Sequence, residues 1–163
     1  MSKVKVTMEN GGEFIIELLP EYAPLTVANF ERLVKNEFYN GLTFHRVIDG
    51  FMAQGGDPEG TGCGGSDEKI KGEFRVNGVN NTLSHTRGVV SMARSQFYDS
   101  ASSQFFICYG DCSFLDGQYA AFGKVIEGME VVDSFLKTER RMSFGGERSV
   151  PVKPIVMKKV EMI

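Results

Sequence analysis

Apolar and polar residues alternate with a period of two over much of this chain, which is the pattern of half-buried β-strands. The alternation begins at residues 3–9, and Asn10-Gly11-Gly12 supplies a turn before a second alternating run at residues 14–19. This arrangement predicts an opening β-hairpin. Residues 88–95 predict a buried strand that runs into a polar loop. Further strands are predicted at residues 102–107, 120–125 and 152–162, the last being the closing strand.

Two segments repeat their apolar residues at helical spacing instead. After two prolines, the residues from Thr26 to Asn36 predict one amphipathic helix, and those from Gly128 to Lys137 predict a second. Each apolar stripe is expected to pack on the end of a barrel or sheet. Residues 137–148, before the closing strand, are polar and glycine-rich and are predicted to form a loop.

The stretch 44–57 has the pattern of strand, turn and strand, with an Asp-Gly turn between two apolar runs. With a period of two, Arg46 shares a face with Phe44, and Met52 shares a face with Gln54. An arginine beside large apolar side chains is unusual, because arginine is rarely buried without a partner. The simple interpretation is an edge hairpin whose arginine lies over a core, and the alternative is a functional site.

The predicted strand at residues 102–107 repeats this chemistry. Gln104 and Phe106 face one way along it, which places an amide beside a large apolar group, as Gln54 and Met52 do. Two strands therefore present the same pair of residue types.

Length and composition limit the classes of protein that are possible. The chain has 163 residues, of which 42% are hydrophobic and 24% charged, so we expect one globular domain over residues 1–163. A net charge of −3 argues against nucleic acid as a partner, and no apolar run approaches a membrane span. The N-terminal residues lack the continuous apolar core of a signal peptide, so a cytoplasmic location is expected.

The chain offers few residues for metal or nucleophilic chemistry. The three cysteines include no CxxC pair, and the only histidines are His45 and His85, so neither a metal site nor a cofactor is expected. The pattern Gly60-x-Gly62-x-x-Gly65 matches a dinucleotide fingerprint formally, but no helical pattern follows it, which favours a wall-forming loop. No nucleophile elbow or P-loop is present.

Several motifs, in order and at similar spacing, resemble those of cyclophilin-type peptidyl-prolyl cis-trans isomerases. They are Phe44-His45-Arg46-Val47-Ile48, Gly50-Phe51-Met52-x-Gln54-Gly55-Gly56-Asp57, Gly60-Thr61-Gly62, Ser91-Met92-Ala93, Ser103-Gln104-Phe105-Phe106-Ile107, Phe114-Leu115-Asp116-Gly117 and Phe122-Gly123-Lys124-Val125. The resemblance covers essentially the whole chain. It implies an all-β fold, a closed eight-stranded antiparallel β-barrel capped by two α-helices, with the active groove on the outer face of the barrel.

The resemblance also implies a set of site residues. Arg46 and Gln54 are the implied catalytic residues, and Arg46 would stabilise the twisted prolyl nitrogen in the transition state without covalent or proton-transfer chemistry. The implied substrate-binding residues are Phe51, Met52, Gly60, Ala93, Arg94, Ser95, Gln104, Phe106, Phe114, Leu115 and Tyr119. The implied partners are proline-containing peptides and unfolded or native protein clients, bound by a monomer that assists protein folding.

Three positions depart from the best-known eukaryotic members of the family. Phe114 stands where those have Trp, and Tyr119 stands where they have His. Losing the indole N–H removes a donor, so weakened affinity for cyclosporin-type cyclic peptides is expected. Arg94 stands where many members have Asn, which is expected to alter the preferred residue before proline. The run Arg94-Ser95-Gln96, together with Tyr119, resembles the bacterial cytosolic branch.

Two other functions remain as alternatives at this stage. A proline-binding module or chaperone would use the same groove with little turnover, but such a protein could lose Arg46 without harm. An unrelated β-barrel ligand binder would require the motifs to be coincidental.

Overall fold

The computed structural model describes residues 2–163. Its strands are β1 Lys3–Met8, β2 Glu13–Leu18, β3 Phe44–Ile48, β4 Met52–Gly55, β5 Val89–Met92, β6 Phe105–Cys108, β7 Ala121–Glu127, β8 Arg140–Met142, β9 Arg148–Pro151 and β10 Met157–Met162. The α-helices are α1 Pro24–Lys35 and α2 Met129–Ser134, and short 3-10 turns lie at Arg75–Asn77, Ser113–Leu115 and Phe135–Lys137. Within the described residues, no helix has the length and apolar character needed to span a membrane.

Eight of the strands form one curled antiparallel sheet with the order β10-β1-β2-β7-β5-β6-β4-β3. The eight-stranded sheet with two helices confirms the coarse prediction, but the sheet is a half-barrel. Its edge strands, β3 and β10, share no ladder and are joined beside their ends by one isolated bridge between Thr43 and Val156. The predicted closed barrel is therefore not confirmed.

An aromatic core fills the concave side of this sheet. Phe30 of α1 packs on Tyr39, Phe105 and Phe122, with ring centroids 5.1 to 5.5 Å apart. These rings are at most 1% exposed, as the alternating pattern of the strands requires. The other face of β4 and β6 is thereby left to form a surface of its own.

The region after α2 differs from its prediction. The second helix ends at Ser134 and continues only as a 3-10 turn, so the predicted helix 128–137 is split. The predicted loop 137–148 contains β8, which pairs with β9 in a small hairpin that lies against β3. The closing strand begins at Met157 rather than at residue 152. Pro151 and Pro154 explain this delay in part, because proline has no N–H to donate to a ladder.

Candidate active site

An apolar groove lies on the outer face of the sheet, where the side chains of β3, β4 and β6 point away from the core. It is lined by Arg46, Phe51, Met52, Gln54, Ala93, Arg94, Phe106, Leu115 and Tyr119. Its cavity volume is about 150 Å³. That is smaller than the roughly 300–1,000 Å³ of a typical small-molecule pocket, so it suits a single apolar side chain.

A β-bulge places Arg46 in this groove. Phe44 pairs with Gly55 and Arg46 pairs with Gln54, so one extra residue, His45, lies between them on β3. Phe44 is consequently buried in the aromatic core, whereas Arg46 lies on the outer face. The prediction that these two side chains share a face is wrong.

The floor of the apolar groove is formed by Met52 and Phe106, which are 1% and 4% exposed. Two buried cysteines pack behind them, and Phe51 and Tyr119 stand partly buried at the rim. The ring of Tyr119 meets that of Phe106 edge to face at 5.9 Å. Met52 and Gln54 do share a face, as do Phe106 and Gln104, so both predicted pairs are confirmed.

A chain of side-chain hydrogen bonds runs along one wall. Nη1 of Arg46 donates to Oε1 of Gln54 at 3.2 Å, and Nε2 of Gln54 donates to Oε1 of Gln104 at 2.8 Å. Nε2 of Gln104 then donates to the carbonyl oxygen of Gly64 at 2.7 Å. Because each amide gives one bond and receives one, both amide orientations are fixed by the network.

The glycine-rich loop is organised around the carboxylate of Asp57. This side chain accepts the backbone N–H groups of Glu59, Thr61, Gly62 and Gly64 at 2.6 to 3.2 Å. Burial alone would raise the pKa of Asp57, but these four donors outweigh it and hold the pKa below its usual value. The loop forms a wall of a second, polar side groove, as predicted, and no helix opens on it.

Four predicted site residues lie outside the apolar groove itself. Ser95 and Gln104 line the polar side groove, which adjoins the apolar groove at Gln54. Phe114 is 65% exposed and packs on Phe51 with centroids 5.7 Å apart and the two rings tilted by 35°. Gly60 has a φ of +68° within the glycine-rich loop and lines neither groove.

Comparisons with known proteins agree with this geometry. The family model described as "Cyclophilin type peptidyl-prolyl cis-trans isomerase/CLD" matches residues 3–162. The chain belongs to this family. It is therefore a peptidyl-prolyl cis-trans isomerase, which confirms the resemblance and the enzyme class expected from the sequence.

Individual relatives support the same conclusion. The chain is 48% identical to peptidyl-prolyl cis-trans isomerase B of Bacillus subtilis over 123 residues, covering 76% of this chain and 82% of the relative. It is 43% identical to a peptidyl-prolyl cis-trans isomerase of Acinetobacter baylyi over 158 residues, covering 94% and 81%. A Cryptosporidium parvum cyclophilin, crystallised in the presence of the dipeptide Ala-Pro, superposes with a TM-score of 0.83 at 30% identity, covering 99% and 98% of the two chains.

Arg94 also lines the cyclophilin groove and is tightly held. Its Nε and Nη2 donate to the carbonyl oxygen of Gln118 at 3.2 and 2.7 Å, and Nη1 donates to that of Ser95. The guanidinium also lies 4.6 Å from the ring centroid of Tyr119 and 4.9 Å from that of Phe74. Arg94 thus ties two loops of the groove together.

A buried histidine supports the floor of the cyclophilin groove from behind. His85 is fully buried, and its ring stacks on Phe106 with centroids 6.0 Å apart. Its Nδ1 is 2.8 Å from Oδ1 of Asp116, and its Nε2 is 2.8 Å from Oγ of Ser91. An ionised carboxylate only accepts, so Nδ1 carries the proton and the Ser91 hydroxyl donates to Nε2. Burial lowers the pKa of His85, although Asp116 acts in the opposite direction.

One side chain in contact with Arg46 was not expected from the sequence. Glu147, in the turn between β8 and β9, accepts from Nε of Arg46 at 3.0 Å and from Nη2 at 3.1 Å. These bonds hold the pKa of Glu147 below its usual value, against the opposing effect of burial. No local pattern marks Glu147, because it is 101 residues from its partner in a segment predicted to be a loop.

Proposed function

We propose that this isomerase binds the prolyl ring of a client in the apolar groove and uses Arg46 to stabilise the twisted prolyl nitrogen. The observation that carries the proposal is the position of Arg46, a charged donor beside an apolar floor sized for one side chain. Proline-containing peptides and protein clients are the proposed substrates, and the Cryptosporidium parvum neighbour crystallised with Ala-Pro supports that class.

The chemistry needs only a donor. Rotation about a peptide bond faces a barrier of about 18–20 kcal/mol, because the nitrogen lone pair is delocalised into the carbonyl group. In the twisted transition state the lone pair returns to nitrogen, which becomes a better acceptor. A donor aimed at that nitrogen therefore binds the transition state more strongly than either planar ground state. The side chain of arginine is always charged in proteins and needs to transfer no proton.

Arg46 has donors left for this task. An arginine carries five N–H groups, and three of those of Arg46 are bonded, to Glu147 and to Gln54. The remaining two, one on each Nη, have no acceptor among residues 2–163. A charge-assisted hydrogen bond contributes about 1.5–3 kcal/mol, so Arg46 should supply roughly 10- to 150-fold in rate.

The rest of the acceleration is assigned to the groove. Phe106 and Met52 form a dry floor for the ring, and the Gln54–Gln104 amide chain lies beside it for contacts with the peptide backbone. Holding the ring still while the preceding carbonyl rotates lowers the entropic part of the barrier. Cyclosporin-type peptides are proposed to bind weakly, because Phe114 offers no N–H donor.

The test is two-dimensional NMR exchange on an Ala-Pro peptide with catalytic amounts of wild type and of Arg46→Ala. We expect cis-trans exchange peaks with the wild type, and their strong reduction with the variant while its spectrum remains folded. Equal exchange rates for the two proteins would remove Arg46 from the mechanism. Line broadening without accelerated exchange by the wild type would indicate a proline-binding module with little turnover.

A further inference from the structure

The contact between Glu147 and Arg46 joins the apolar groove to the β8–β9 hairpin. We propose that Glu147 is a positioning residue, which holds the guanidinium of Arg46 so that its free N–H groups point into the groove. This inference rests on the proposed role of Arg46. It assigns a function to a hairpin that the groove residues alone would leave without one.

The geometry of the ion pair supports positioning rather than competition with the substrate. Glu147 occupies the edge of the guanidinium formed by Nε and Nη2, at 3.0 and 3.1 Å. Gln54 takes one N–H of Nη1 at 3.2 Å. Both free N–H groups are therefore on the two terminal nitrogens. A bidentate pair of this kind fixes the plane of the guanidinium as well as its place.

Arg46 needs such support because packing covers only part of its side chain. Its side chain is 39% exposed, and an arginine side chain in water has a large rotamer entropy, about 2 kcal/mol. Gln54 alone could fix only one nitrogen. Glu147 accepts hydrogen bonds from two further nitrogens. The side chain of Arg46 therefore has little conformational entropy left to lose when the substrate binds.

The hairpin that carries Glu147 is itself anchored to the strand that carries Arg46. Arg140, in β8, donates from Nη1 to the carbonyl oxygen of Val47 at 3.1 Å, one residue beyond Arg46. Across the turn, the N–H of Ser143 donates to the carbonyl oxygen of Glu147 at 2.7 Å. Arg46 is part of β3, and the hairpin that carries Glu147 is hydrogen-bonded to β3 through Arg140. The two partners of the ion pair are therefore expected to move together with the strand.

The chain offers a matched control for this ion pair. Arg87 and Asp133 form another bidentate pair, at 3.0 and 2.6 Å, whose side chains are 51% and 39% exposed. Neither residue lines the apolar groove or the polar side groove. Breaking this pair removes a surface ion pair of the same type without touching the site.

The experiment measures kcat and KM on the Ala-Pro peptide for Glu147→Ala, Glu147→Gln, Arg46→Ala, the Arg46→Ala/Glu147→Ala double variant and Asp133→Asn. For Glu147→Ala we expect kcat to fall roughly tenfold with KM within about twofold, since a misplaced group loses rate more than binding. Glu147→Gln should lie between it and the wild type, because an amide oxygen can accept only part of the bidentate contact. Asp133→Asn should behave as the wild type.

Two further readouts separate positioning from a structural role. In the Arg46→Ala background, the added Glu147→Ala change should alter kcat by less than about twofold, since there is no guanidinium left to position. The guanidinium Nε–H resonance of Arg46 should be slow to exchange with water in the wild type and fast in Glu147→Ala, with the backbone amide signals unmoved.

The outcomes distinguish this inference from the proposed function. If Arg46→Ala keeps the wild-type kcat, the proposed role of Arg46 fails. If Arg46→Ala loses activity but Glu147→Ala does not, only the positioning role fails. A rise in kcat/KM in Glu147→Ala would also overturn it, and would show that the carboxylate competes with the substrate. An equal loss from Glu147→Ala with and without Arg46 would show that the hairpin acts through the fold.

Discussion

Arg46 and Arg94 both line the apolar groove, yet their guanidinium groups are bonded to different kinds of partner. Arg46 is held by side chains alone, the carboxylate of Glu147 and the amide of Gln54. Arg94 is held by backbone carbonyl groups and by aromatic rings, the nearest 4.6 Å away. Side-chain partners can orient a charged group toward a groove, whereas carbonyl and ring partners hold one loop against another.

This difference shows that residue type and proximity do not assign a role. The sequence placed both arginines in one site, through the same resemblance. In the structure the two guanidinium groups donate to different acceptors. We infer that Arg46 acts on the substrate, while Arg94 mainly holds the wall of the groove in place. The proposal that Arg94 alters the preferred residue before proline then operates through the position of the loop.

The largest expected effect is on catalysis, and of the two arginines Arg46 should show it far more strongly. Arg46→Ala should lower kcat/KM by about 10- to 150-fold, and Arg46→Lys should recover little of it, because an ammonium group lacks the planar fork. Arg94→Ala should lower kcat/KM by no more than about threefold. Exchange NMR on one peptide series measures all three variants. Similar losses from Arg46→Ala and Arg94→Ala would end the distinction between the two arginines.

The second effect is a pH dependence of stability that comes from the histidines, since both arginines keep their charge. Burial lowers the pKa of His45 and of His85 in the folded protein. As the pH falls below about 6.5, the unfolded chain takes up protons first, so the free energy of unfolding should decrease. The limit is about 1.4 kcal/mol per pH unit for each histidine.

Urea unfolding at pH 7.5 and pH 5.5 measures this decrease, and NMR titration of the two imidazoles assigns it. The carboxylates with lowered pKa, such as Asp57 and Glu147, act in a separate window, because their contribution is lost as the pH falls below about 5. If both imidazoles titrate near 6.5 and stability stays flat between the two pH values, their burial has no energetic consequence. Isomerase activity of the folded protein should change little over this range.

The parts of the site that follow from local chain geometry could be predicted. The hairpin at 44–57 and the shared face of Met52 and Gln54 depend on the period of a strand and on one Asp-Gly turn, and both are confirmed. The bulge at His45 could not be predicted, since one extra residue in β3 leaves no mark in the alternation. It reverses the face of Arg46 relative to Phe44.

The parts that depend on distant contacts could not be predicted either. Glu147 reaches Arg46 only because β8 and β9 form a hairpin on the outside of β3, and that segment has no apolar alternation to indicate strands. The buried ring of His85 likewise contacts a distant partner, since Asp116 lies 31 residues away. Long-range polar pairs of this kind have no periodic signature in a single sequence.

The third expected effect is on the free energy of unfolding, and it tests whether Arg94 holds the loops of the groove wall together. Arg94→Ala should lower the free energy of unfolding by about 1–2 kcal/mol, from lost hydrogen bonds to carbonyl groups and lost cation–π contacts. Arg46→Ala should lower it by less than about 1 kcal/mol, because the side chains of its ion pair are 39% and 36% exposed, which leaves the pair open to screening by solvent. Urea titration of both variants gives the two values. A larger loss of stability in Arg46→Ala than in Arg94→Ala would contradict the structural role assigned to Arg94.

The smallest effect concerns the rim, beyond either arginine. Phe114→Trp introduces an indole N–H at a position that is 65% exposed and packed on Phe51. The rate on an Ala-Pro peptide should stay within about twofold, because the floor and Arg46 are unchanged. Cyclosporin should bind more tightly by about 0.5–1.5 kcal/mol, the contribution of one hydrogen bond.

Titration calorimetry with cyclosporin measures this gain in affinity. Phe114→Tyr, whose hydroxyl group lies at a different position from the indole N–H, is the control. An equal gain in both variants would attribute the effect to ring size, and no gain would mean that Tyr119 or the polar side groove limits the affinity.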